Sequence, residues 1–414
     1  MKANLLVLIL ISLLTFTTAI FPQGEVSIPF LLLNPSPSNS AMGGTGTALP
    51  TDDPFGFLWN PAQLGYTSQT NNLSFNFYPA DIKWLGIDQV ELKSLAFNAG
   101  FNFKSLTGIP LSLGFGYSNV KFKLGEFVIT GPNNPEPLGT YKPEYSYHAY
   151  SFGLGLDFGA QLSIGYSIKD INSFLADTLP HPDSGEVRAK NKVNDFGILI
   201  NVPVIKLIND KVQISFNEEI KAYPTFNISF GYSKSNIGDS VQFSGIPQSS
   251  PLPRVERIGY GISTGFDLTI NDFRFNAFNL SFTSAAQDFL VSGYSNSWEY
   301  QDDLDFWDNV ILIKGSNRVF SRTGTKLDFA ETFSFAFGHF SGWGYSDPQK
   351  TNGYEIRAKG LLKLFALLAQ NPITDFIRDY LDIRYYNTNY FEAHEFETKM
   401  TGLAIYVHNL NSLF

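Results

Sequence analysis

No cysteine occurs in the 414 residues, which excludes disulfides and thiolate metal sites. Charge is scarce: Asp, Glu, Lys and Arg make up 16% of the chain, where a soluble domain carries about a quarter. The net charge is −9 and no run of Lys or Arg stands out. Nucleic acid, which needs a basic patch, is therefore not an expected partner. Beyond the N-terminus no stretch supplies 18 uncharged apolar residues. The nearest, 360–369, is short and contains Lys363. A bundle of membrane helices is excluded on that ground.

Catalytic signals are equally thin. Of the five histidines, His148, His181, His339, His394 and His408, none has zinc-protease spacing. The glycines at 43–46 lack the Lys-Ser/Thr that completes a phosphate loop, and no Gly-x-Ser-x-Gly elbow stands out, since Gly261-Ile262-Ser263-Thr264-Gly265 falls inside an alternating strand stretch. His339 falls on an apparent strand, but nothing in the sequence names a partner for it. The expectation is a non-enzyme with no cofactor.

What the chain has in quantity is aromatic residues: 39 Phe, 20 Tyr and 5 Trp, with a mean hydropathy of −0.05. Their spacing is informative. Leu111, Leu113, Phe115 and Tyr117 alternate with Ser112, Gly114, Gly116 and Ser118. Phe152, Leu154 and Leu156 alternate with Ser151, Gly153 and Gly155, and Phe226, Ile228, Phe230 and Tyr232 with Asn227, Ser229, Gly231 and Ser233. Period two predicts strands. A soluble sandwich would fill the second face with Lys, Glu and Arg. Here it is Gly, Ser and Asn, which suits a crowded lumen, with the apolar face turned to lipid. The fold expected is all-β: a transmembrane antiparallel β-barrel with an N-terminal plug and a short helix in a C-terminal loop. Outer-membrane lipid is the expected surrounding, in a Gram-negative cell.

The organisation follows. Lys2, the apolar run Leu5 to Leu14 and the small residues Thr17, Thr18 and Ala19 predict a signal peptide over 1–22. Residues 23–67, rich in Pro, Ser, Gly and Asn, predict a plug, and 68–414 the barrel. Phe273 and Phe275 keep one phase while Phe278, Leu280 and Phe282 keep the other, which predicts a bulge between them. Pro203 weakens a strand at 198–207 or ends it. Long polar loops are expected at 130–143, 177–192, 236–253 and 292–326, and tight turns at 157–159 and 270–272. Asn371 and Pro372 look like the start of a helix carrying Ile373, Phe376, Ile377 and Tyr380 on one face. The terminal Phe414 suits a last barrel strand.

The longest loop holds Trp298, Tyr300, Phe306 and Trp307, a candidate partner-contact or mouth-capping surface. Asp302, Asp303, Asp305 and Asp308 are interleaved with them. Asp303 and Asp305 are a weak candidate for a metal, since the Gly and distal Glu of a calcium loop are missing.

One stretch carries a family pattern. Pro29-Phe30-Leu31-Leu32-Leu33-Asn34-Pro35 is followed by Ser40-Ala41-Met42-Gly43-Gly44-Thr45-Gly46-Thr47-Ala48, then Asp52-Asp53 and Trp59-Asn60-Pro61-Ala62-Gln63-Leu64. This resembles the N-terminal segment of the PorV/PorQ family, relatives of the FadL-type barrels. Asn39 or Ser40 stands where an Arg is common, so any role of that Arg does not carry over. Asp382-Ile383-Arg384-Tyr385-Tyr386 also looks familiar for the family. The resemblance implies about 14 strands with the N-terminal segment folded inward. Gly43, Gly44 and Gly46 permit close backbone approach, and Asn60-Pro61 favours a turn. These residues, with Trp59, are read as shaping the plug. The resemblance implies a barrel that receives secreted cargo proteins or secretion-machinery components of the type IX route. The alternative is a FadL-like channel for hydrophobic small molecules such as fatty acids, with plug residues Phe55, Phe57 and Leu58 available to line a pocket.

Overall fold

In the strand Leu111–Lys123, Ser112, Gly114, Gly116 and Ser118 are buried, while Leu113 is 45% exposed. The next strand repeats the inversion: Ser151, Gly153 and Gly155 are buried and Phe152 is 57% exposed. Water would not tolerate a wall with its rings outward; a bilayer requires one.

The structure, a computed structural model, describes residues 26–70, 73–83, 89–131, 134–176, 186–244, 249–270, 273–289, 304–343, 345–368, 376–377, 379–390 and 398–409. The signal-peptide segment and Phe414 lie outside these. Fourteen strands form the wall. In chain order they are β1 (Leu73–Lys83), β2 (Glu91–Asn102), β3 (Leu111–Lys123), β4 (Glu144–Phe158), β5 (Ala160–Ala176), β6 (Val187–Pro203) and β7 (Ile220–Ile237). The second half is β8 (Val255–Ile270), β9 (Phe273–Phe289), β10 (Val319–Phe329), β11 (Phe333–Gly342), β12 (Tyr345–Arg357), β13 (Leu381–Tyr390) and β14 (Thr398–Val407). Each is antiparallel to its neighbours, and β14 closes on β1 from Phe75↔Val407 to Lys83↔Lys399. Closure leaves no unpaired sheet edge. Among the described residues no helix is long and apolar enough to cross a membrane.

The register shift between β8 and β9 pairs Phe266 with Phe278 but Asp267 with Asn276. Ala277 is thus the extra residue of the expected bulge. Pro203 ends β6, and a helical turn, Val204–Ile208, follows. Two strands start earlier than expected. Residues 187–192 belong to β6 and 319–326 to β10, not to loops. Arg188, Lys190 and Lys192 point outward and are exposed, so the polar end of β6 has the hydropathy of a loop. The C-terminal region is helical as expected, and over more residues than expected. Helix α3 spans Ala358–Leu368. Phe376, Ile377 and Tyr380 have helical backbone as well, while Asn371, Pro372 and Ile373 lie outside the described residues.

The plug runs down the lumen. At the long-loop rim Ser27 donates its amide to the Pro251 carbonyl at 2.7 Å, and Phe30 stacks on Tyr145 at 5.3 Å. Helix α1 (Pro37–Ala41) begins with proline and is capped by Ser36, whose hydroxyl accepts from the Asn39 amide at 3.1 Å. Helix α2 (Gln63–Thr70) lies against β2 to β5. The wall is glycine where the plug backbone comes closest to it. A Cβ at Gly165 would collide with the Pro61 backbone, and one at Gly338 with the Gly43 amide.

Candidate functional site

The Gly43-Gly44 turn is built from two left-handed residues, φ 70° and 74°, which only glycine adopts without strain. A Cβ on Gly43 would stand 2.6 Å from the Thr323 carbonyl. The turn is tied to the wall at both polar groups. Its Gly43 amide donates to the Thr351 hydroxyl at 3.0 Å, and its Gly43 carbonyl accepts from Arg322 Nη1 at 2.8 Å. Gly46 makes the other close approach: a Cβ there would lie 3.0 Å from the Trp59 Cβ. Trp59 is 5% exposed, with Arg257 4.5 Å and Arg322 5.9 Å from its ring centre. Asn60 donates to Thr47 and Ile198 carbonyls at 2.7 and 3.0 Å and accepts from the Ala62 amide at 3.0 Å. It therefore pins the plug turn at Pro61 to β6.

This partition separates two cavities. The outer one, about 220 Å³, lies toward the long-loop rim. From the plug it is lined by Pro29, Leu32, Leu33, Asn34 and Trp59, and from the wall by Phe289, Phe320, Arg322, Phe340, Trp343 and Tyr390. The inner one, about 360 Å³, is polar. Ser36, Asn39, Asp52, Asp53 and Tyr66 of the plug face Lys326, Asp328 and Arg357 of the wall. Phe55 borders this inner cavity, while Phe57 and Leu58 are packed in the core, Phe57 against the wall at Gly116. The apolar pocket is thus built from other residues than those expected.

An ionic network latches the plug. Arg384 Nη1 and Nη2 meet Asp52 Oδ1 and Oδ2 at 2.9 and 2.7 Å, and its Nε meets Asp382 at 2.7 Å. Beside it, Arg357 bonds Glu355 at 2.6 Å and Asp328 at 2.9 Å, and Lys326 bonds Glu355 at 2.7 Å. Burial pushes the Asp52 carboxyl up, but the Arg384 guanidinium outweighs it and holds that carboxyl well below the usual range. Among the described residues no cation pairs with Asp53 in this way. Burial pushes it up to about 6, against hydrogen bonds from the Ser36 hydroxyl and the Phe55 amide.

The described part of the aromatic loop, from residue 304 on, packs on the outer wall. Asp305 caps a π-helical turn, Phe306–Ile311, by accepting from the Asp308 amide at 2.8 Å. That turn packs on the outer face of β8 to β10. Ser284 donates to the Val310 carbonyl and Ser321 to the Asn309 carbonyl. Phe306 lies 6.3 Å from Tyr260, and Trp307 is 64% exposed beside the wall. Asp308 pairs with Lys314 at 3.0 Å. Among the described residues no cluster could hold a metal; Trp298, Tyr300 and Asp303 lie outside them. His339 meets the Thr323 hydroxyl at 2.8 Å. The sequence reading missed Arg322 and Asn34. Arg322 fell within a segment taken for a loop, and Asn34 stood in the family pattern with no role of its own.

No family model and no curated protein matches the sequence. Among solved structures the chain is similar to the CymD monoaromatic hydrocarbon channel, at 10% identity and TM-score 0.39 over 91% of this chain and 98% of that one. It is similar to the Pseudomonas putida toluene transporter TodX, at 10% identity and TM-score 0.35 over 89% and 96%. It is also similar to a Pseudomonas aeruginosa FadL homologue, at 10% identity and TM-score 0.35 over 90% and 98%. At such identities the likeness is of the fold alone.

Proposed function

We propose that this chain is an outer-membrane barrel that captures a small apolar solute at its long-loop rim and admits it past a displaceable plug. The observation that carries this is the outer cavity: ring-walled, roofed by plug residues 29–34, and separated from the larger inner cavity by one glycine turn and Trp59. A largely apolar hollow with a few polar groups is what a small-molecule site requires. The long loops face outward, as in outer-membrane barrels generally. The glycine-lined wall lets the plug fill the lumen, and the Asp52–Arg384 latch sets how tightly it docks.

A second reading keeps the barrel and changes the cargo. The motif from Ala41 to Leu64 resembles the PorV/PorQ family, and Trp307 stands exposed on the outer wall, so a secreted protein could be the partner. Purification from native membranes in mild detergent, with mass spectrometry of what is bound, separates the two. Apolar small molecules without a protein partner support solute capture. Secreted proteins sharing a C-terminal domain overturn it in favour of cargo binding.

A further inference from the structure

The outer cavity has a feature that a bare hydrocarbon would leave unused. Its wall is made of rings in mutual contact: Phe289 lies 4.8 Å from Trp343, and Phe340 5.3 Å from Tyr390. Yet three N–H groups of residues bordering it have no partner: Arg322 Nε, Asn34 Nδ2 and Trp59 Nε1. Their residues are only 7%, 8% and 5% exposed. Arg322 is the telling one. Arg357 and Arg384 both sit on carboxylates. The Arg322 guanidinium instead gives one N–H to the Gly43 carbonyl and lies 4.7 and 5.0 Å from the ring centres of Phe320 and Phe340. No ion pair with a carboxylate forms there among the described residues. Leaving a buried donor unmet costs about 1–3 kcal/mol, and a buried cation without a counter-charge costs more. A neutral hydrocarbon would relieve none of this.

We propose that the outer cavity binds a compact arene carboxylate, its ring among Phe289, Phe340 and Tyr390 and its carboxylate on Arg322, Asn34 and Trp59. Two carboxylate oxygens offer about four acceptor positions and supply the negative charge that Arg322, on the cavity wall, lacks. Flat walls favour a ring by offset or edge-on contact, and about 220 Å³ suits one ring better than a long acyl chain. This assignment rests on the solute-capture reading and gives its apolar solute an anionic head group.

The test is calorimetric titration of the full-length barrel in detergent at pH 7 with benzoate, benzamide and hexanoate. Benzoate is expected to bind at least tenfold tighter than either. Arg322→Gln should abolish the preference for benzoate over benzamide, and Arg322→Lys should restore part of it. Because Arg322 also holds the Gly43 turn, Asn34→Ala provides an independent variant. It should weaken benzoate severalfold and leave benzamide nearly unchanged. Equal binding of benzoate and benzamide, or tighter binding of hexanoate, overturns the proposal while leaving solute capture intact. Binding of none of the three overturns both.

Discussion

If the plug seals the lumen by packing on wall glycines, one added methyl at the right position should unseal it. Gly338 is that position. A Cβ there would overlap the Gly43 amide and the Met42 carbonyl carbon, and would stand 2.8 Å from the Gly43 Cα. Ordinary contact needs at least 3.4 Å, so the turn must withdraw by roughly an ångström in a close-packed lumen. It is held by Thr351 and Arg322, and overpacking of this kind costs about 1–3 kcal/mol. Spent on plug docking, that raises the undocked population by about five- to 150-fold. Gly338→Ala in planar bilayers should therefore open more often than the wild type, and its plug should be cut faster by protease. Gly139→Ala is the control, since a Cβ there meets nothing within 4 Å. Indistinguishable conductance and cleavage for the two variants would refute the packing argument.

Three further outcomes are expected. Asp53 binds its proton more tightly in the docked plug, at about 6, than in an unfolded chain at 3.8. Docking stability is then fully present below about pH 4 and is lost as pH rises through about 6, by up to ~3 kcal/mol; plug proteolysis against pH should show this, and Asp53→Asn should flatten the profile. Asp52→Asn removes the two-pronged contact with Arg384, and because Asp52 is 40% exposed to the cavity, screening limits the loss to about 1 kcal/mol, read as faster plug cleavage with an unchanged barrel melting temperature. Ser321→Leu should crowd the turn that hides it on the outer wall, raising protease access to the loop beside Trp307 without altering solute binding.

The wall was legible in the sequence because alternation and composition act on every strand alike. Ser112 to Ser118 and Ser151 to Gly155 face inward as their spacing demands, and even the Ala277 bulge shows as a phase slip between Phe275 and Phe278. The glycine turn and Asn60-Pro61, read from the sequence as shaping the N-terminal segment, lie where that segment meets the wall. The chemistry of the lumen was not legible. Arg322, Glu355, Arg357 and Arg384 lie on strands far apart in sequence from the plug; Glu355, Arg357 and Arg384 meet across the neighbouring strands β12 and β13, but only the passage of the N-terminal segment through the lumen brings Arg322 to Gly43 and Arg384 to Asp52. Strand ends rich in charge, such as 187–192, have loop-like hydropathy because they stand beyond the apolar band of the wall.

The most direct test of solute capture is uptake of a radiolabelled small apolar solute into cells that lack this chain and are complemented with the wild type or with Leu33→Trp. Leu33 borders the outer cavity from the plug, and an indole there occupies the cavity while every wall residue keeps its identity. The account predicts that the wild type accelerates uptake and that Leu33→Trp does not, although the variant still runs as a heat-modifiable barrel. Equal uptake with the wild type, with Leu33→Trp and with no chain at all would contradict it.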